Sequence, residues 1–384
     1  MADAGHAIFT VGPCLRDLIA GVNPPHYELS TNASLTEMTR LLPNAVLIDS
    51  RRRKVTVPTP AGPVDLTPFH VGPHIEDDLA HRDFTINAMA YEAERKELLD
   101  PYGGRADLAG GLLRAVRSAR DRFGEDPMRA LRGVRLAATR GWKLDPEVES
   151  ALECIRKRLA RVPREPVRRE LNTILLSPGV ALALDQLEQS GITASLAPSA
   201  ISGSGAVVKR LPPDLELRLA GWLRGTHPRR VLQRLRFSSA IIHRVESLLR
   251  LHPVSSGLDP ANRTGMIRFA RRTGSLDLNS LIALEDAEIA AAGDRPAAAR
   301  DVLRGLREIT EELRVSSDTA SGRRRLVVSG ADVMKQLDCK PGPRVGRALA
   351  YLTERVAVDP ALNTPDELRE LLREWVDRGS EGDC

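Results

Sequence analysis

An α+β head followed by an all-helical remainder is the fold class this 384-residue sequence predicts. Three observations carry that reading. The β-like runs, at 7–11, 45–57 and 64–69, all fall within the first 112 residues. From about residue 176 onward the pattern is helical. Aromatic residues make up only 3% of the chain, which favours helices packed through aliphatic side chains over an aromatic-rich β-sandwich. A hydrophobic content of 42% is ample for packed cores, and the length allows two or more domains. The net charge of +5 suits a polyanionic partner, but it is a mild excess spread over a large protein. Cys14, Cys154, Cys339 and Cys384 lie far apart with no metal-ligand spacing, so they read as reduced and structural. The first residues lack a leader pattern and no apolar run reaches membrane-span length, so the expectation is a cytoplasmic protein with no membrane segment.

Taken in order, Ala7-Ile8-Phe9-Thr10-Val11 reads as a strand that runs through Gly12-Pro13 into a short helix closed by Gly21. A glycine turn at a helix N-terminus is a place where backbone N–H groups hold phosphate, although Pro13 has no N–H to give. Ser34-Leu35-Thr36-Glu37 is a capping box opening a helix through Leu42. Strands follow over 45–57 and from Val64 to Phe69, around the turn Thr59-Pro60-Ala61-Gly62-Pro63. The stretch 98–108, with Asp100-Pro101 and Gly103-Gly104, reads as a turn that closes the head. Asp126 before Pro127 is a helix start, with Asp126 as N-cap. Helices are expected from Pro178 to Leu187, Leu215 to Leu223, Pro228 to Arg236 and Ala240 to Leu251, with a loop from Pro198 to Gly205. Thr364-Pro365-Asp366-Glu367 caps a terminal helix reaching about Trp375.

The chemistry concentrates in Leu79 to Tyr91, which reads as a short helix-forming run. Arg82 offers a fork of donors for phosphate, Asp83 an acceptor pair for a ribose hydroxyl, and Asn87, one helical turn later, a donor and an acceptor on the same face. Phe84, Ile86 and Ala88 would pack the other sides. The same letters also fit an amphipathic helix with solvated charges. Their order, His81-Arg82-Asp83-Phe84-Thr85-Ile86-Asn87-Ala88, resembles the Arg-Arg-Asp-Phe-Thr-Ile-Asn-Ala signature of class II tRNA nucleotidyltransferases and bacterial poly(A) polymerases, enzymes that add CCA or A to RNA 3′ ends. Gly12, Arg16, Asp17 and Gly21 match another segment of that family, and Glu125-Asp126-x-x-Arg129 matches its Glu-Asp-x-x-Arg motif. The resemblance extends to the neck, where Glu165 and Glu170 match, and to the tail from Leu326 to Val376.

The resemblance implies a nucleotidyltransferase head of the DNA polymerase beta-like kind at 1–112, a helical neck at 113–175, an RNA-binding helical body at 176–315 and a helical tail at 316–384. It implies CTP or ATP as the nucleotide and a tRNA 3′ end as the acceptor. Nucleotide-binding positions carry over to Gly12, Arg16, Arg82, Asp83, Asn87, Asp126, Arg129 and Arg132, with Asp126 and Arg129 at the base and Arg132 supporting either base or phosphate. Catalytic positions carry over to His26, Glu28 and Asp65, with Mg²⁺, or Mn²⁺ in its place, held by His26 and Glu28. Here the chain departs from the family. His26-Tyr27-Glu28 stands where two aspartates alternate, and a neutral imidazole is a poor Mg²⁺ ligand. Pro13 replaces a glycine, His70 an arginine, and Arg53-Lys54 a Gly-Thr pair. Two readings follow: a transferase with a weakened metal site, or a catalytically inactive protein that binds RNA and nucleotide. A set of arginines, Arg224, Arg229, Arg230, Arg234, Arg236, Arg263, Arg268, Arg271 and Arg272, could track a phosphate backbone.

Overall fold

Alternation of side chains across β1 (Ile8–Val11) sends Phe9 and Val11 into one apolar cluster with Phe69, Ile75, Leu79 and Ala90. The computed structural model describes residues 1–49, 53–60, 62–198, 200–293, 297–318 and 326–377. Cys384, positions 50–52 of the run expected as a strand over 45–57, position 61 of the expected turn and position 199 of the expected loop lie outside these residues. The chain divides into two compact units, Met1–His252 with Ala283–Asp294, and Pro253–Ile282 with Arg295–Cys384.

The first unit is built on a seven-stranded mixed sheet. After β1 and α1 (Gly12–Ile19) come β2 (Tyr27–Thr31), α2 (Leu35–Leu41), β3 (Val46–Asp49), β4 (Lys54–Val57) and β5 (Val64–Pro68). Then follow α3 (Ile75–Leu79), β6 (Ala90–Glu92) and β7 (Glu97–Leu99), and the strand order is β3-β4-β5-β2-β1-β6-β7. Among the described residues of this sheet only β2 and β5 run parallel, and their register sets Glu28 beside Asp65 and Ser30 beside Thr67. The other faces of these strands send Leu29 and Leu66 into a cluster with Met38 and Val55. Ser34 and Glu37 form the expected capping box at α2.

Three expectations need correction. The run 45–57 is an antiparallel hairpin of β3 and β4 rather than one strand. Leu79 to Tyr91 is not one helix: α3 ends at Leu79, a turn follows, and only Thr85–Asn87 forms a single 3₁₀ turn before β6 begins. The stretch 98–108 is more than a turn, because Asp100 accepts from the backbone N–H groups of Gly104 and Arg105 (2.6 and 2.9 Å) and so starts α4 (Gly104–Gly110). Gly104 is required there, since a Cβ would lie 2.2 Å from the Thr85 carbonyl oxygen.

Helices α5 (Ala119–Glu125), α6 (Met128–Arg140), α7 (Pro146–Leu159) and α8 (Arg164–Leu176) then pack behind the site. Helix α6 begins at Met128, and the Asp126 carboxylate caps it through the Met128 N–H (2.9 Å). The later helices Val180–Gln189, Leu215–Trp222, Pro228–Arg234 and Ser239–Leu251 sit within a few residues of their expected bounds. The expected loop at 198–205 is cut short by a helix at Ser204–Val208. In the second unit, Gly330–Leu337, Pro343–Val358 and Pro365–Asp377 close around Val333, Ala348, Leu352, Leu368 and Leu372. Among the described residues no helix is long and apolar enough to cross a membrane, and Cys14, Cys154 and Cys339 are free thiols.

Candidate active site

A cleft of about 450 Å³ opens beside the sheet in the first unit. It is lined by Glu28 from β2, by Arg82, Asp83 and Asn87 after α3, and by Asp126, Arg129 and Arg132 at the start of α6. Seven of the expected site residues, spread from Glu28 to Arg132 in sequence, therefore share one wall system. Pro13, His70 and Arg135 are also among its lining, with Thr67, Pro68, Asp78 and His81, so Pro13 and His70, where the chain departs from the family pattern, face the cleft too.

Asp83 is the hub. Its Oδ1 accepts from the Phe84 N–H and from Asn87 Nδ2, both at 2.9 Å, and its Oδ2 accepts from Arg132 Nη1 at 2.5 Å. Asp83 and Asn87, expected on one face of a helix, thus bond to each other directly, although a 3₁₀ turn and not a helix brings them together. Burial works to raise the Asp83 pKa, but the Arg132 charge and the hydrogen bonds from Asn87, Arg132 and Phe84 outweigh it and hold the group below the ordinary carboxylate range. Burial likewise works to lower the Arg132 pKa, and the Asp83 carboxylate more than reverses it.

Arg82 is aimed by Asp78, whose Oδ2 accepts from its Nε (3.3 Å) and Nη2 (2.9 Å), and by the Ser30 hydroxyl, which accepts from Nη2 at 3.2 Å. Its remaining nitrogen, Nη1, lies beside Gly12. A Cβ at Gly12 would sit 3.1 Å from that nitrogen and 3.0 Å from Glu28 Oε2, and the residue has φ +69°, so glycine is needed twice over. Arg129 is clamped by Glu125 Oε2 (2.9 Å) and the His81 carbonyl (2.8 Å). Asp126 spends one oxygen on the α6 cap and keeps the other without a hydrogen bond among the described residues. Arg16 is buried and does not line the cleft. It donates to Asp17 and, at 3.0 Å, to Asn87 Oδ1, which places it behind Asn87 as a support.

The expected metal ligands are not brought together in that role. Asp65 Oδ2 accepts from His26 Nε2 at 2.6 Å and also meets the Lys54 ammonium, while Oδ1 accepts from Thr56 at 2.6 Å. An imidazole nitrogen that donates to a carboxylate has no lone pair left for a metal. Burial raises the Asp65 pKa, but the bonds from Lys54, Thr56 and His26 and the Lys54 charge prevail and keep it low. The Glu28 backbone exchanges hydrogen bonds with Cys14 Sγ, but its carboxylate has no hydrogen-bond partner among the described residues, and no trio of His, Cys, Asp or Glu there is grouped to hold a metal. The donor set as folded does not fit Mg²⁺.

Sequence reasoning passed over Asp78, Ser30 and Thr56, and met Lys54 only as a departure from the family pattern. Asp78 was legible as an i,i+4 partner of Arg82. Ser30 shares the period-2 face of Glu28, but nothing in the sequence says what crosses to meet it. Lys54 and Thr56 share one face of β4, but their meeting with Asp65 depends on strand register, which no local pattern announces.

An A-adding tRNA nucleotidyltransferase of Deinococcus radiodurans is 29% identical over 426 aligned positions, covering 96% of this chain and 95% of that protein. A CC-adding tRNA nucleotidyltransferase of Shouchella clausii is 34% identical over 210 positions, covering 54% of this chain and only 55% of the relative, so this chain spans about half of that protein's length. The crystal structure of the Bacillus stearothermophilus CCA-adding enzyme in complex with CTP superposes with a TM-score of 0.69 over 100% of this chain and 96% of that one, a likeness of fold at 23% identity. A mixed sheet that sets Glu28 in register with Asp65, backed by helices that close the cleft, defines a nucleotidyltransferase head. The family described as Poly A polymerase head domain matches residues 8–114, and that described as Probable RNA and SrmB- binding site of polymerase A matches 141–202. Over these two segments the chain matches the poly(A) polymerase family models, and over nearly its whole length it is similar to tRNA nucleotidyltransferases.

Proposed function

We propose that this chain works in the cytoplasm at the 3′ ends of RNA, tRNA foremost, as a nucleotidyltransferase-family protein that takes CTP or ATP into the cleft and adds CCA or A. The observation that carries this reading is the convergence of Glu28, Arg82, Asp83, Asn87, Asp126, Arg129 and Arg132 on one cavity of nucleotide size. In it, Arg82 offers Nη1 to phosphate, and the Asp83–Asn87–Arg132 group forms the ribose side. The free oxygen of Asp126 beside the clamped Arg129 gives an acceptor and a donor for a base edge, a pairing suited to C and A. In this reading residues 1–112 form the head, 113–175 the neck, 176–315 the body and 316–384 the tail.

A second reading, binding without efficient transfer, is favoured by one observation. Asp65 is fully engaged by Lys54, His26 and Thr56, so the Mg²⁺ that would activate the RNA 3′-hydroxyl has no ready ligand pair. Loss of one carboxylate from a metal pair costs several kcal/mol in the transition state, roughly three decades in rate. The test is incorporation of labelled ATP into tRNA ending in CC, in Mg²⁺ and in Mn²⁺, beside the Deinococcus relative, together with equilibrium binding of ATP and CTP. Under the second reading, nucleotide binds while incorporation runs about a thousandfold slower than in the relative. Comparable rates would leave only the first reading, and absence of nucleotide binding would sink both.

A further inference from the structure

The contacts of Asp65 carry a consequence for what enters the head. Three strands present Thr56, Asp65 and Glu28 at one level of the sheet, by the registers Thr56 to Asp65 and Glu28 to Asp65. Two carboxylates at paired positions on neighbouring strands repel each other and call for a cation. The chain supplies one of its own: the Lys54 ammonium sits on Asp65 Oδ2, the same oxygen that accepts from His26 Nε2 at 2.6 Å, while Thr56 fills Oδ1 at 2.6 Å. Lys54 is the first residue of β4, on the same face as Thr56, with about a quarter of its side chain exposed, so the strand register delivers the charge to Asp65. A divalent ion approaching Asp65 would meet a fixed ammonium and an N–H, both of the wrong sign to act as ligands.

We propose that Lys54 is a resident cation of the head, which holds the place of a divalent metal at Asp65 and keeps the metal out, so that the cleft takes its nucleotide metal-free. The nucleotide half of this statement rests on the function proposed above; the exclusion of metal does not. Lys54 here is a positioning residue, acting through Asp65.

The test is Mn²⁺ uptake by the full chain, followed by the paramagnetic resonance signal of the free ion, for the natural protein, Lys54→Ala, Lys54→Met, and Lys54→Ala combined with Asp65→Asn. The methionine variant keeps the stem that packs along β4, so it reads the charge alone if the alanine variant folds poorly. Either single variant is expected to bind Mn²⁺ about tenfold or more tightly than the natural protein, and the double variant to lose the gain. In parallel, the affinity of the natural protein for ATP is expected to stay within about threefold between EDTA and millimolar Mg²⁺. Tight Mn²⁺ binding by the natural protein that Asp65→Asn abolishes would overturn the proposal, as would single variants that gain nothing. A loss of ATP affinity in EDTA would overturn the metal-free binding. Failure to bind ATP under any condition would count against the proposed function, while the Mn²⁺ comparison would still decide the role of Lys54.

Discussion

Asp83 uses both carboxylate oxygens inside the protein, on Phe84, Asn87 and Arg132, with only 6% of its surface exposed. Asp83→Asn would leave Arg132 facing a neutral amide, at a cost of about 2–3 kcal/mol, which urea unfolding at pH 7 would measure. The pH dependence has a definite sign. The folded pKa lies below the unfolded value of about 3.9, so the unfolded chain binds the proton more readily. The stabilisation is complete above the unfolded value and is lost as pH falls through the folded one. The urea midpoint of the natural protein should therefore fall more steeply than that of Asp83→Asn as pH is lowered through 4 and below; parallel curves would show that the pair contributes nothing. At this scale, Arg82, Asp83 and Asn87 were legible because they lie together in one stretch of sequence. Lys54 was visible only as a departure from the family pattern, since its meeting with Asp65 needs a register between β4 and β5 that is set by turns and core packing rather than by letters.

At the scale of elements, α6 must lie close enough to the Phe84 ring for Arg129 and Arg132 to reach the cleft, and Gly133 is what lets it. A Cβ on Gly133 would stand 2.8 Å from Phe84 Cζ, a ring wholly buried against Phe123 with centroids 6.3 Å apart. Helix propensity alone favours Gly133→Ala by about 1 kcal/mol, whereas overpacking costs about 1–3 kcal/mol and displaces the helix. Overpacking should win. The variant is expected to unfold at lower urea concentration and to bind ATP more weakly, because Arg132 and Arg129 ride on the displaced helix; a stabilised variant with unchanged affinity would refute this. Helices were the legible part at this scale, because caps such as Ser34 with Glu37 and Thr364 before Pro365 announce themselves locally. Leu79 to Tyr91 misled because its residues suit a helix, yet tertiary pairing decides otherwise: Thr85 N–H donates to the Arg114 carbonyl and Val116 N–H to the Asp83 carbonyl. The 45–57 run misled because a hairpin needs a turn, and positive φ at Arg53 is not a conformation an arginine advertises.

For the whole molecule, the question is how much of the +5 charge is available to RNA. Few of the nine arginines singled out by sequence are idle. Arg224 is buried and paired with Glu288, Arg229 pairs with Glu246, and Arg234 donates to the Ser195 and Leu196 carbonyls. Arg236 lies 3.8 Å from Glu165, while Arg263 and Arg268 pair with Glu312 and Glu354. Each phosphate neutralised contributes about −0.9 to the slope of log affinity against log salt for a duplex. If all nine arginines met phosphates, tRNA affinity would fall by roughly five decades between 50 and 200 mM salt; with two to four contacts the fall is about one to two decades. Internal pairing makes the smaller figure the expected one, because an arginine already matched to a glutamate releases little on meeting a phosphate. Titration of labelled tRNA across that salt range measures the slope directly. A fall near five decades would mean that the ion pairs open to the RNA, and the arginine set would then have to be read as a continuous phosphate track rather than as the bracing of the helices that carry it.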